Sequence, residues 1–225
     1  MIDLPLSQIV TAIGGLGTAA FGLVESTKAL GTGVNHIGLK RIKAAVLPLI
    51  PTGASPTNTL SQEKILATVE ANWVNGTDLG GQKSIAKSLI KLNLSAGNAA
   101  AVAASTGVDP GALATVATSI ATGTPLTPAE SDVYARFDLI VTALLDEAYQ
   151  RSDQTYRNGT RALAMMVPVV LALVGGYLLH MDGDWGKDLG ESLLVGLLAT
   201  PFAPIAKDLS TALATAVNTL QLVKK

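Results

Sequence analysis

Residues 151–179 read RSDQTYRNGTRALAMMVPVVLALVGGYLL, and the change of character at Arg161 decides the fold. Arg151, Arg157 and Arg161 punctuate the first part, whereas no side chain from Ala162 to Leu179 is charged. As a helix rising about 1.5 Å per residue, the apolar run comes close to the ~30 Å hydrocarbon thickness of a bilayer. Basic residues ahead of such a run mark the cytoplasmic end of a membrane span. Gly159 marks the junction, and Pro168 predicts a kink that a neighbouring helix or the local backbone must accommodate.

Upstream, Thr127, Pro128, Ala129 and Glu130 combine a capping hydroxyl, proline at the first helical position and a reciprocal Glu, so a long helix starts there and residues 127–181 form one element continuing into the second span. Val133, Phe137, Ile140, Leu144 and Ala148 recur at helical spacing, which predicts a buried stripe in need of a partner, with Phe137 and Leu144 as its packing residues. Downstream, residues 182–190 form an acidic loop with Asp182, Asp184 and Asp188 against Lys187. Residues 191–225 supply a third span, apolar from about Leu189 to Ala206, and then an amphipathic helix. In that helix Leu209, Leu213, Ala216, Leu220 and Val223 follow the spacing of a coiled-coil seam, with Leu213 and Leu220 as packing residues.

The N-terminal region, residues 1–31, carries no charge from Leu4 to Val24 and reads as the first span. Gly14, Gly15 and Gly22 are its helix-packing candidates, because small residues let a second helix approach backbone to backbone. No basic stretch precedes this run, so the segment is expected to be retained rather than cleaved. Residues 32–51 place His36, Lys40 and Lys43 at helical spacing, with Arg41 adding charge. Two placements stay open for this basic amphipathic helix: on the membrane surface or packed on its own domain. Lys40, Arg41, Lys43, Arg157 and Arg161 are the membrane-surface candidates. Residues 52–126 make a small helical domain, opening with a Thr59/Gln62 capping pattern. A second helix carries Ile85, Leu89 and Leu92 on one face, and a third starts at Asp109 and Pro110. The Ala-, Thr- and Gly-rich stretch from Ala96 to Gly123 predicts thinly packed helix or loop.

Composition agrees with an all-α integral membrane protein of three transmembrane helices with a helical cytoplasmic domain between the first and second. Of 225 residues 48% are apolar and only 15% charged, with Ala, Leu, Val and Gly rather than aromatics carrying the apolar mass. A net charge of −1 leaves no basic footprint for nucleic acid, and the absence of cysteine removes disulfides and thiolate chemistry. Gly76 and Gly81 have the spacing of a phosphate-binding loop, but Gln82 stands where its lysine belongs. His36 and His180 fall on opposite sides of the expected membrane, and the acidic loop lacks the spacing of a calcium site. No catalytic residue, cofactor or metal is expected.

Asp146, Glu147, Arg151, Tyr156, Arg157 and Thr160, leading into the apolar run, with Thr200, Pro201, Phe202 and Asp208 further on, resemble a family of small uncharacterised bacterial multipass inner-membrane proteins. The likeness covers roughly the last 85 residues and departs at Gln154 and Thr155, where that family has Gly-Trp. It implies a bacterial inner-membrane location and brings no activity with it. The expected role is a non-enzymatic assembly or structural subunit that contacts lipid and either its own copies or other membrane subunits; the alternative is an oligomeric pore.

Charge bias sets the expected topology: the N-terminus and the acidic loop lie outside, the central domain and the C-terminus in the cytoplasm. With no native cysteine as background, Asp184→Cys should react with an impermeant thiol reagent in intact spheroplasts, and Gly53→Cys and Thr124→Cys only after lysis. The reverse labelling pattern would invert the orientation.

Overall fold

The computed structural model describes residues 6–29, 33–52, 60–179, 185–202 and 205–206. Among these there is helix and no strand. The helices are α1 (Leu6–Ser26), α2 (Leu39–Val46), α3 (Gln62–Val74), α4 (Leu79–Asn93), α5 (Ala99–Thr106), α6 (Pro110–Thr122), α7 (Pro128–Leu179) and α8 (Trp185–Ala199), with short 3-10 turns at Thr27–Ala29, Val34–His36 and Leu47–Leu49. Contacts divide the chain into two units, Asn35–Tyr156 and the remainder, Met1–Val34 with Arg157–Lys225; α7 supplies residues to both.

Side-chain caps begin α3, α4, α6 and α7 of the larger unit. Ser61 accepts from the Lys64 amide at 3.3 Å, Asp78 from Gly81 at 2.8 Å and Asp109 from Ala112 at 2.7 Å. The opening of α7 is a reciprocal box: Glu130 accepts from the Thr127 amide at 2.7 Å, and the Thr127 hydroxyl accepts from the Glu130 amide at 3.3 Å. The Thr127 backbone and hydroxyl bonds to the Glu130 carboxylate hold its pKa below the usual value. Thr59, expected to cap α3, lies outside the described residues, and Ser61 performs that role.

The larger unit is wider than the 52–126 domain expected from sequence, because α2 and the first half of α7 pack into its core. Leu39, Ile42 and Val46 of α2 are buried with Ile65, Val69 and Trp73 of α3, Ile90 of α4 and Leu113 of α6. The basic helix therefore packs on its own domain. The contribution of α7 is Phe137, Val141, Leu145 and Tyr149, so the buried stripe is rotated from the expected one: Phe137 is fully buried, but Leu144 is 37% exposed. This corrects Leu144 as a packing residue. The rotation brings Asp138, Thr142 and Asp146 against the lysines of α4 and puts Tyr149 in the core, where its ring lies 6.4 Å from that of Trp73. Burial pushes the Tyr149 phenol up to about 12, so it is neutral over the working pH range. On α4 the buried positions are Gln82, Ala86, Ile90 and Asn93, and Leu92 of the expected apolar face is 65% exposed.

One close approach pins α2 to α7. Gly38 has φ +91°, and a Cβ there would meet the Ser152 carbonyl oxygen at 2.6 Å. Its own carbonyl accepts from the Ser152 hydroxyl and from the Arg41 amide, both at 3.0 Å. A side chain at this position would suffer left-handed backbone strain and a backbone clash together. Gly38→Ala should cost about 3 kcal/mol of stability, read from the midpoint of denaturant unfolding, against about 1 kcal/mol for Ser152→Ala. Equal, small losses for both would mean that the backbones do not touch here.

Candidate membrane-contact face

Expectation of three spans narrows to one among the described residues: α7 alone contains a stretch long and apolar enough to cross a membrane, judged by length and composition. The apolar parts of α1 and α8 are shorter, Val10–Ser26 and Leu189–Ala199. Only about a tenth of the α7 stretch is covered by the rest of the chain. Pro168 does not interrupt the helix; it is buried where α8 comes closest.

Among the described residues of the smaller unit, two glycines stand where helices approach closely. A Cβ on Gly196 of α8 would lie 2.7 Å from the Val169 Cα and 3.0 Å from the Ala172 Cβ of α7. One on Gly17 of α1 would lie 2.5 Å from the Phe202 Cβ and 3.1 Å from the Ala199 carbonyl oxygen. Helix contact of this kind depends on small residues rather than on expulsion of water. Among the described residues it falls on Gly17, whereas Gly14, Gly15 and Gly22 have no described atom within 4 Å of a notional Cβ. Among the described residues the predicted packing glycines thus meet no neighbouring helix. Leu213 and Leu220 lie outside the described residues.

Along α7 the exposed side chains recur at each turn. Arg157, Arg161 and Met165 form one row, and Met166, Val170, Val174 and Leu178 form the next. On α8 Leu189, Leu193, Leu194, Leu197 and Leu198 are exposed as well. Such continuous apolar exposure greatly exceeds the scattered surface leucines of an ordinary soluble domain.

The basic candidates separate. Lys40 and Arg41 are exposed on α2, and Arg157 and Arg161 are exposed on α7. Lys43 instead donates to Glu70 of α3 at 2.7 Å, while the His36 Nε2 stands 3.6 Å from the other oxygen of the same carboxylate. Lys43 is therefore a tie within the domain. His180 lies outside the described residues. The loop resembling a phosphate cradle is already filled: the Gly81 amide is bonded to Asp78, and Lys83 is paired with Asp146.

Sequence reasoning missed a ladder between α4 and α7. Lys83, Lys87 and Lys91 stand one turn apart on α4 and meet Asp146, Thr142 and Asp138 in reverse order on α7. Lys87 and Lys91 both lie 2.9 Å from Asp138, and Lys87 also reaches the Thr142 hydroxyl at 3.3 Å. The signal was available as matched four-residue spacing in both segments. Hydrogen bonds from Lys87 and then Lys91 hold the Asp138 carboxyl below the usual range. Burial alone would lower Lys91, but Tyr134, whose ring centroid is 4.7 Å from the ammonium, and Asp138 together raise it. Beside Lys91 a cleft of about 440 Å³ opens between the ends of α4 and α6, lined largely by Leu92, Leu94, Ala117 and Ile120. Its one charged lining group is thus already committed. Among the described residues no three His, Asp or Glu side chains converge as a metal site would require. No family model, curated protein or solved structure matches this chain.

Asp138 carries the electrostatic load of the ladder, and its effect on stability has a definite sign. Its folded pKa is depressed, so the stabilisation is present above the unfolded value of 3.8 and is lost as pH falls through the folded value. Asp138→Asn should lower stability by about 1–2 kcal/mol at pH 7, and thermal unfolding at acid pH should show the gap to the native chain closing. A gap that does not narrow as pH falls below the unfolded value would assign the loss to packing instead.

Proposed function

We propose that this chain is an integral protein of the bacterial inner membrane with no catalytic role, a structural or assembly subunit that associates with its own copies or with other membrane subunits. The observation that carries the reading is the composition of α7. One helix buries Phe137, Val141, Leu145 and Tyr149 in a helical domain and then continues as an apolar stretch whose side chains are largely uncovered. A helix satisfies its own backbone hydrogen bonds, so that stretch suits lipid without further partners. The multipass topology and the cytoplasmic placement of the domain belong to the same proposal and rest on charge bias. The resemblance around Asp146 to Thr160 supports the same location.

Assembly is supported by uncovered small and apolar residues on α1 and α8. Gly15 and Gly22 on α1, and Leu194 and Leu198 on α8, are exposed and leave room for a helix from another chain. The stripe of α7 from Val133 to Ala148 does not support it, because its inward residues are met within the domain.

Full-length protein should stay in the membrane fraction after an alkaline carbonate wash. Within those membranes, Gly15→Cys or Gly22→Cys should give oxidant-dependent disulfide dimers or a crosslinked membrane partner, whereas Ala44→Cys on α2 should not. Release by carbonate would overturn the membrane placement, and retention with only monomers at every position would overturn the assembly role.

A further inference from the structure

We infer that the basic end of the exposed α7 row binds anionic phospholipid headgroups, with Arg161 as the guanidinium that engages the phosphate. This rests on the membrane placement proposed above and names the lipid class recognised there. The geometry points to it in three steps. Arg161 is exposed and precedes Met165, also exposed, by one turn on the same row of a continuous helix. If Met165, Val170 and Val174 meet lipid tails, a side chain one turn before Met165 reaches the headgroup layer about 6 Å along the axis. Arg161 pairs with no carboxylate among the described residues, while Arg151 nearer the domain is already paired with Glu147 at 2.8 Å. The uncommitted positive charge therefore stands at the boundary of the apolar stretch.

A phosphodiester is the fitting partner. The guanidinium presents its donors as a planar fork that matches two phosphate oxygens, and burial of the phosphate between headgroups strengthens the pair. Arg157, one turn earlier on the row, adds positive charge to the same end. A zwitterionic headgroup offers the phosphate with an internal cation beside it, so the net attraction is smaller and lipids of net negative charge are preferred. The polar residues around Arg161 fit this role, since Asn158 is exposed and the Thr160 hydroxyl is turned back onto the Arg157 carbonyl at 3.0 Å.

The test reconstitutes the full chain into vesicles of phosphatidylcholine with an equal share of phosphatidylglycerol. Transfer to a mild detergent follows, and mass spectrometry of the intact protein counts the lipids retained. The native chain should retain phosphatidylglycerol over phosphatidylcholine by about fivefold for each engaged arginine. Arg161→Gln should bring the ratio close to parity, Arg161→Lys should keep part of the preference because charge remains but the fork is lost, and the double variant Lys40→Gln with Arg41→Gln should leave it unchanged. Equal retention of both lipids by the native chain, an unchanged ratio in Arg161→Gln, or an equal loss in the α2 double variant would each overturn the inference. Displacement of the lipid by excess glycerol phosphate would do so too, by showing a site for a soluble anion. A chain that fails to enter either vesicle removes the membrane placement itself, an outcome distinct from insertion without lipid preference.

Discussion

Burial of Phe137, Val141, Leu145 and Tyr149 along one side of α7 is the constraint on which the larger unit depends. The other helices of that unit are short, and two of them, α2 and α5, have only eight residues each. Helices of that length are not stable alone in water and need tertiary partners. The α7 side chains are among the largest in the core, so they supply apolar area that Ala86, Ala99 and Ala103 on the smaller helices cannot. Gly38 and Ser152 then fix α2 at a backbone-to-backbone distance, and the lysine ladder fixes α4. One apolar contact, one steric contact and one electrostatic contact each determine a different neighbour of the same helix.

Two local signals were legible in the sequence, while the caps at Ser61 and Asp78 were not. Caps at Asp109 and Thr127 need only side chains three residues from the amides they bind, and both starts fall as expected. The all-helical class was readable from composition for a similar reason. What failed was orientation about the helix axis. Leu144 and Val141 both fit a 3.6-residue period, and the choice between them depends on which neighbours arrive, information that a single segment does not contain. Tyr149 was overlooked because a hydroxyl argues for the surface, yet its ring area and contact with Trp73 place it inside. The basic helix was ambiguous for the same cause: Lys43 has no local partner, and Glu70, which takes it, is a tertiary neighbour.

The candidate face was legible in part. An uncharged run after three arginines is visible in residues 151–179, and α7 has its apolar stretch there. The choice of contact glycine was not. Gly14, Gly15, Gly17 and Gly22 are alike by composition, and only the facing residues Ala199 and Phe202 distinguish Gly17. Gly196 drew no notice in the sequence because an apolar helix tolerates glycine anywhere, whereas its closeness to Val169 and Ala172 makes it the point where α8 meets α7.

Charge allocation links these details to the way the larger unit is joined. In the larger unit Lys43 and Glu70, Lys83 and Asp146, Lys87 and Lys91 with Asp138, and Arg151 with Glu147 are joined in pairs, and Asp78, Asp109 and Glu130 cap helices. A carboxylate held by ammonium groups, with its pKa depressed as at Asp138, is a poor general acid or base near neutrality, because its proton affinity is tuned away from the working pH. Here Glu70, Asp138 and Asp146 hold helices together. Lys40, Arg41 and Arg161, which have no acidic partner among the described residues, are exposed to whatever surrounds the chain. The charged groups thus divide between those joined within the larger unit and those left exposed at the surface.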